Sequence, residues 1–101
     1  MFPILRFKVQ DKSMEPTFKA GDYVLVNKMA YRFAKPSRGD VVVIKHPIER
    51  DMFLLKRISV ITNSDKFYVV GDNRDFSKDS RHFGAIEKDL IVGKVWFSVK
   101  K

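Results

Sequence analysis

A chain of 101 residues with 45% hydrophobic content and nine Phe is long enough for one domain, residues 1–101, and for one core with little to spare. It has no Cys, which excludes a disulfide framework, a thiolate nucleophile and a Cys-based metal site. Twenty Lys and Arg against 12 Asp and Glu leave a net charge of +8, which suits nucleic acid, an anionic membrane surface or an acidic substrate; the basic residues are scattered, however, and a solvated basic surface is the plainer reading.

Taken in order, the chain reads as mostly strand. Ile4–Val9 is a first strand, and Tyr23–Lys28 a second, entered through the turn signal Ala20-Gly21-Asp22. Met29–Asp40 contains Pro36, Ser37 and Gly39 and reads as a loop with a short helical turn at its start. Val41–Lys45 is a continuous β-branched run, expected to be buried on both faces. After His46-Pro47 and the charged turn Glu49-Arg50-Asp51 comes the longest strand, Met52–Ile61, closed by Thr62-Asn63-Ser64-Asp65. Lys66–Val70 pairs back as a hairpin arm, and Gly71–Gly84 follows as a long, highly charged, structureless loop. Glu87–Leu90 forms a helical turn, and Gly93–Val99 is the last strand. Six short strands at regular spacing predict an all-β domain of small, barrel-like, coiled antiparallel sheets.

No stretch approaches the ~18 apolar residues of a membrane span, and Met1–Leu5 is too short for a signal-peptide core. The chain is therefore expected to be soluble as given and cytoplasmic, or membrane-associated if it is the trimmed ectodomain of an anchored protein.

Three segments carry chemistry. In Ser13-Met14-Glu15-Pro16-Thr17, Pro16 restricts both its own backbone and that of Glu15, so Ser13 sits in a rigid turn that suits a nucleophile; alone, it is an ordinary serine in a proline turn. In the second segment, Lys56-Arg57-Ile58, strand alternation puts Lys56 on one face with Leu54 and Ile58, so its ammonium points inward or into an apolar cleft. Desolvation there lowers a lysine pKa and lets the amine accept a proton from a serine hydroxyl; the plainer alternative is a lysine that snorkels to water. The third segment is the 71–84 loop, with Asp72, Asp75, Asp79, Arg74 and Arg81 beside Asn73, Ser77 and Ser80. Arg–carboxylate pairs can cross-link such a loop, and a hydroxyl such as Ser77 can hold a neutral lysine in place. A calcium loop is the rival reading, but the spacing is not that of an EF-hand. His46 and His82, in a turn and in the charged loop, read as surface or structural residues.

In this order and combination, S-M-x-P-T, then K-R, then G-D-N-x-x-x-S-x-D-S-R-x-x-G resemble the signal peptidase I family of membrane-associated serine endopeptidases, over about Val9–Val95. The resemblance implies a β-rich fold, no metal and no cofactor. It makes Ser13 the nucleophile, whose backbone N–H also serves the oxyanion, Lys56 the general base, and Ser77 the hydroxyl that orients the lysine. Asp79 with Arg81, and Asp72 with Arg57, become ion pairs that shape the site. It also implies a precursor protein as substrate, a pocket for small residues before the cut, and peripheral membrane contact through exposed apolar residues; Met14 and Phe18 are candidates for that contact or, equally, for the core.

The departures from the family matter. Members with a full periplasmic domain usually follow K-R with a long insertion, whereas here only Ile58–Asp65 separates the base from the next strand. That brevity, and the stretch Pro36–Pro47, resemble the short anchorless nickel-type superoxide dismutase maturation proteases, which stand beside a generic minimal signal peptidase as the two subgroup readings. Two residues before the nucleophile stands Asp11, whose ionised carboxylate would repel a developing oxyanion. Either Asp11 turns away, toward Lys12, or the oxyanion relies on the Ser13 backbone N–H. Two other readings are a self-cleaving repressor-type Ser/Lys protease and a basic nucleic-acid- or lipid-binding module with an inactive protease site. The scattered charge speaks against nucleic acid.

Overall fold

The computed structural model describes residues 3–76 and 79–99. Six strands form one antiparallel sheet: β1 (Ile4–Lys8), β2 (Tyr23–Asn27), β3 (Val41–Lys45), β4 (Phe53–Ile61), β5 (Phe67–Val70) and β6 (Ile91–Val99), in the spatial order β1-β2-β6-β3-β4-β5. The all-β expectation is met by one open, curled sheet whose edges are β1 and β5. The β6 strand starts two residues earlier than its sequence signal because Ile91 already pairs with Ile44 of β3. Two short helices, α1 (Ala30–Phe33) and α2 (Ser80–Phe83), and 3₁₀ turns at Arg74–Phe76 and Lys88–Leu90 complete the chain.

The β3 strand explains how so short a chain folds. Its central residues Val42, Val43 and Ile44 are all fully buried, as a β-branched run between two partners requires. Val43 joins Val9, Met14, Phe18, Val24, Val26 and Leu55 in one apolar cluster. Val42 and Ile44 join Ile58, Phe67, Val69, Ile86 and Leu90 in another. Alternation along β3 sets these clusters on opposite faces of the sheet, so the molecule has two cores where the length suggested one. Met14 and Phe18 belong to the first core and are not a docking surface.

One glycine is required by packing. A Cβ on Gly93 of β6 would lie 2.6 Å from the carbonyl oxygen of Asn27 and 2.8 Å from Val26 Cγ1. The two strands approach this closely beside the register shift at Leu25/Val26 in the β2–β6 ladder.

The 71–84 segment is not the structureless loop that its charge suggested: it contains the Arg74–Phe76 turn and α2, the latter capped by the Asp79 side chain. Among the described residues no helix is long and apolar enough to cross a membrane.

Candidate active site

Lys56 sits in the middle of β4, opposite Val42 of β3, with only 1% of its surface exposed. The sheet that buries its neighbours buries it as well. Burial pushes its pKa below the ordinary lysine value; nearby Asp11 and Asp79 push it back up, and Arg81 adds to the depression. A lysine in this position gives up its proton more readily than one in water, which is what a general base requires.

Ser13 lies on the segment that leaves β1. It is 3% exposed, and its neighbour Met14 is fully buried, which anchors the turn in the first core. The turn is closed by main-chain bonds from Glu15 N–H to Lys12 C=O (3.1 Å) and from Phe18 N–H to Met14 C=O (3.0 Å). The Ser13 carbonyl accepts from Asn73 N–H at 2.8 Å, and Asn73 Nδ2 donates to the Lys12 carbonyl at 3.0 Å. Ser13, Gln10 and Asp11 line a narrow groove with Phe7 and Val9 on one side and Phe53, Leu54 and Leu55 of β4 on the other. A wider concavity, about 650 Å³ at Ile48–Met52, is an open turn surface without a nucleophile.

The 71–84 loop joins these two elements. Asp72 takes Arg57 Nε on Oδ1 and Arg57 Nη2 on Oδ2, each at 2.9 Å, and Thr17 Oγ1 donates to Oδ2 at 2.6 Å. The main-chain N–H of Asp72 also points at Met14 Sδ, 3.4 Å away. One carboxylate thus fastens the residue after Lys56 to the turn that bears Ser13. Hydrogen bonds from Arg57 and Thr17 hold it below the usual carboxylate range against a partial desolvation that would raise it.

Asp79 is fully buried and accepts from Gly71 N–H (2.9 Å), Arg81 N–H (3.0 Å), Arg81 Nε (3.0 Å) and Arg81 Nη2 (2.7 Å). It caps α2 and pins the start of the loop to its end. Ser80 is buried beside it and accepts Val69 N–H at 2.8 Å, which fixes the loop to β5. Ser77 lies outside the described residues.

Asp72 and Asp79 are engaged by guanidinium groups, and no cluster of metal-ligating side chains is present among the described residues. His46 accepts the N–H groups of Ile48 and Glu49 on Nδ1, each at 3.1 Å, and stacks edge-on against Phe83, which makes it a turn residue; His82 is exposed.

Asp11 holds the contact that sequence reasoning did not anticipate. Its Oδ1 accepts the Ser13 N–H at 2.9 Å. The carboxylate does not leave that amide to the substrate but occupies it. Thr17 and Asn73 also went unassigned, although both stand inside the motifs; an offset of four residues from Ser13 and the G-D-N triplet were the available signals.

An open, curled β-domain with a buried lysine in mid-strand, a buried serine in a turn, and an aspartate that ties the strand's next residue to that turn is the frame in which the comparisons with known proteins are read. Comparison with known proteins gives the family: the model for signal peptidase, peptidase S26, matches residues 1–62 and 59–100. The chain belongs to that family, which is one of serine endopeptidases. It is similar to signal peptidase I V of Bacillus subtilis (strain 168), with 33% identity over 88% of this chain and 82% of that protein. The mitochondrial ATP-independent inner membrane protease subunit 1a of Arabidopsis thaliana is 32% identical, over 90% of this chain and 67% of its own length. Signal peptidase I of Aquifex aeolicus (strain VF5) is 44% identical over 52% of this chain, which is 20% of that larger protein.

The alignment with the Bacillus protein runs over 137 positions, more than the 101 of this chain, so that relative carries residues absent here. The two stretches of the family match meet at residues 59–62, where β4 turns toward β5. That is where the short Ile58–Asp65 segment stands in place of a long insertion.

Proposed function

We propose that this protein is an endopeptidase that removes an N-terminal signal or propeptide from a precursor protein, with Ser13 as nucleophile and Lys56 as general base. The observation that carries the reading is the burial of Lys56, 1% exposed, beside an arginine that Asp72 ties to the Ser13 turn. Neutral Lys56 takes the Ser13 hydroxyl proton as Oγ attacks the scissile carbonyl. The C–N bond then breaks, the lysine passes the proton to the leaving amine, and the acyl group stays on Ser13. Lys56 next takes a proton from water, which attacks the ester and releases the new C-terminus. Ser77, in this reading, orients the lysine amine, while the Asp72–Arg57 and Asp79–Arg81 pairs hold the geometry.

The groove between Gln10–Asp11 and Phe53–Leu55 is narrow, which favours small side chains before the cut. Ile48, Met52 and Phe53 stand exposed at the β3–β4 turn, Phe53 also lining the groove, and offer a peripheral contact with a membrane or with an apolar precursor segment. Within the family, the short β4–β5 turn and the Pro36–Pro47 stretch favour the subgroup that matures nickel-type superoxide dismutase.

The test is mass spectrometry of precursors incubated with wild type and with Ser13→Ala, using one secretory precursor and one nickel superoxide dismutase precursor. A single Ser13-dependent cut supports the protease reading, and the precursor that is cut identifies the subgroup. Cleavage that survives in Ser13→Ala overturns the assignment.

A further inference from the structure

The main-chain N–H of a serine nucleophile lies next to its Oγ, so the tetrahedral oxygen formed on attack falls within its reach. A donor serves that oxygen best at about 2.7–3.1 Å. In this protein the Ser13 N–H is already bonded at 2.9 Å, to a carboxylate oxygen of Asp11. That oxygen carries the charge, and stands at the distance, that the oxyanion would have. Both residues also line the same narrow groove, beside Phe53–Leu55 of β4.

We propose that Asp11 is a resident oxyanion surrogate: it occupies the Ser13 amide in the free protein and is displaced by the scissile carbonyl before acylation. This rests on the protease reading above. Asp11 is exposed, so its carboxylate can swing into water without losing hydration, whereas Ser13 is 3% exposed and its amide would have little solvent to bond in the absence of Asp11. The displacement is therefore reversible. It also touches the base. Among the charges near Lys56, Asp11 is the foremost that pushes its pKa up against burial, so its departure frees the donor and favours the neutral amine in one movement. Asp11 is a positioning residue, and substrates are selected by whether their carbonyl can take its place.

The experiment compares steady-state cleavage of one precursor peptide by wild type, Asp11→Asn, Asp11→Ser and Asp11→Gly, with Ser13→Ala as blank and thermal melting as the fold control. If the surrogate is real, Asp11→Ser and Asp11→Gly raise kcat about tenfold, the size of one charge-assisted hydrogen bond, while KM moves less. Asp11→Asn, which keeps an acceptor but no charge, falls between them and wild type. In the same samples, the Ser13 amide proton moves upfield in the NMR spectrum when Asp11 is replaced by Gly. Cleavage by wild type that the folded Ser and Gly variants leave unchanged or lower removes this proposal alone. A Ser13 amide resonance indifferent to Asp11→Gly also removes it. Absence of Ser13-dependent cleavage in every protein removes the protease reading, and this proposal with it.

Discussion

Lys56 and Ser13 are positioned by opposite means. Lys56 is held by the most regular part of the molecule, with β3 on one side of its strand and β5 on the other. Ser13 stands in an irregular turn, held by a buried methionine below and by bonds from Asp72 and Asn73, about sixty residues away in sequence. The sheet supplies burial, which changes the chemistry of an amine. The turn supplies a hydroxyl beside an exposed groove. What joins them is a loop cross-linked by arginine, so the alignment of the site depends less on either core than on a few charge-assisted bonds.

The largest expected effect comes from removing the base. Lys56→Met should lower kcat to the Ser13→Ala background, a loss of at least about a thousandfold, measured on the same precursor peptide. The same variant should melt at a higher temperature than wild type, because it replaces a buried amine by an apolar group of similar length. Ser13→Ala should melt close to wild type. Loss of activity with a gain of stability at position 56 alone is the signature of a functional residue that the fold does not need.

Next in size is Asp79. Its bonds to Gly71 and Arg81 and its full burial predict that Asp79→Ala costs about 3–5 kcal/mol and lowers the chemical denaturation midpoint, since Arg81 and the Gly71 and Arg81 amides are left without it. Gly93→Ala tests the sheet in isolation. It should destabilise by about 1–3 kcal/mol through the clash with Asn27 and Val26, and whatever protein stays folded should keep its kcat.

Asp72→Asn should act mainly on alignment. It keeps one acceptor but loses the two-pronged grip on Arg57, so kcat is expected to fall about tenfold with a stability loss near 1 kcal/mol. If stability falls and kcat does not, the turn is held by other means and the contrast drawn above fails.

The smallest effects are those of pH. Burial lowers the Lys56 value from 10.5, so activity should rise with pH through an inflection below that of a free lysine. Between the lowered folded value and 10.5 the unfolded chain binds more protons, so stability also rises with pH across that window. Asp72 behaves in the complementary way. Its folded value is depressed below 3.8, so its contribution is complete above 3.8 and is lost as the pH falls through the folded value. Denaturation monitored at stepped pH in wild type and Asp72→Asn separates the two.

Much of the sheet was legible because β-branched runs and turn residues act locally. Val41–Lys45 was read with its exact bounds, and the other strands to within a residue or two. The 71–84 loop was read as structureless because it has no hydrophobic periodicity. What orders it is side-chain bonding: Asp79 caps α2 and accepts from Gly71 at the loop's start, while Ser80 and Asp72 find partners on β5 and β4. Met14 and Phe18 were left open between core and docking surface, since an apolar residue in a polar turn looks the same from sequence in either role. The inward direction of Lys56 followed from alternation with Leu54 and Ile58. The contact between Asp11 and the Ser13 amide did not, because side-chain direction in a turn has no periodicity to read.

The β4–β5 turn closes on itself. Thr62 N–H donates to Lys66 C=O, Asp65 N–H donates to Thr62 C=O, and Thr62 Oγ1 accepts Lys66 N–H. Nothing in those three bonds reaches the site, and the entropy of closing a loop grows only slowly with its length. The turn is thus a modular port: a foreign domain spliced between Asn63 and Ser64 would hang from the far end of the strand that carries Lys56, and the protein is in this sense a cassette onto which recognition elements can be added without rebuilding the part that cuts.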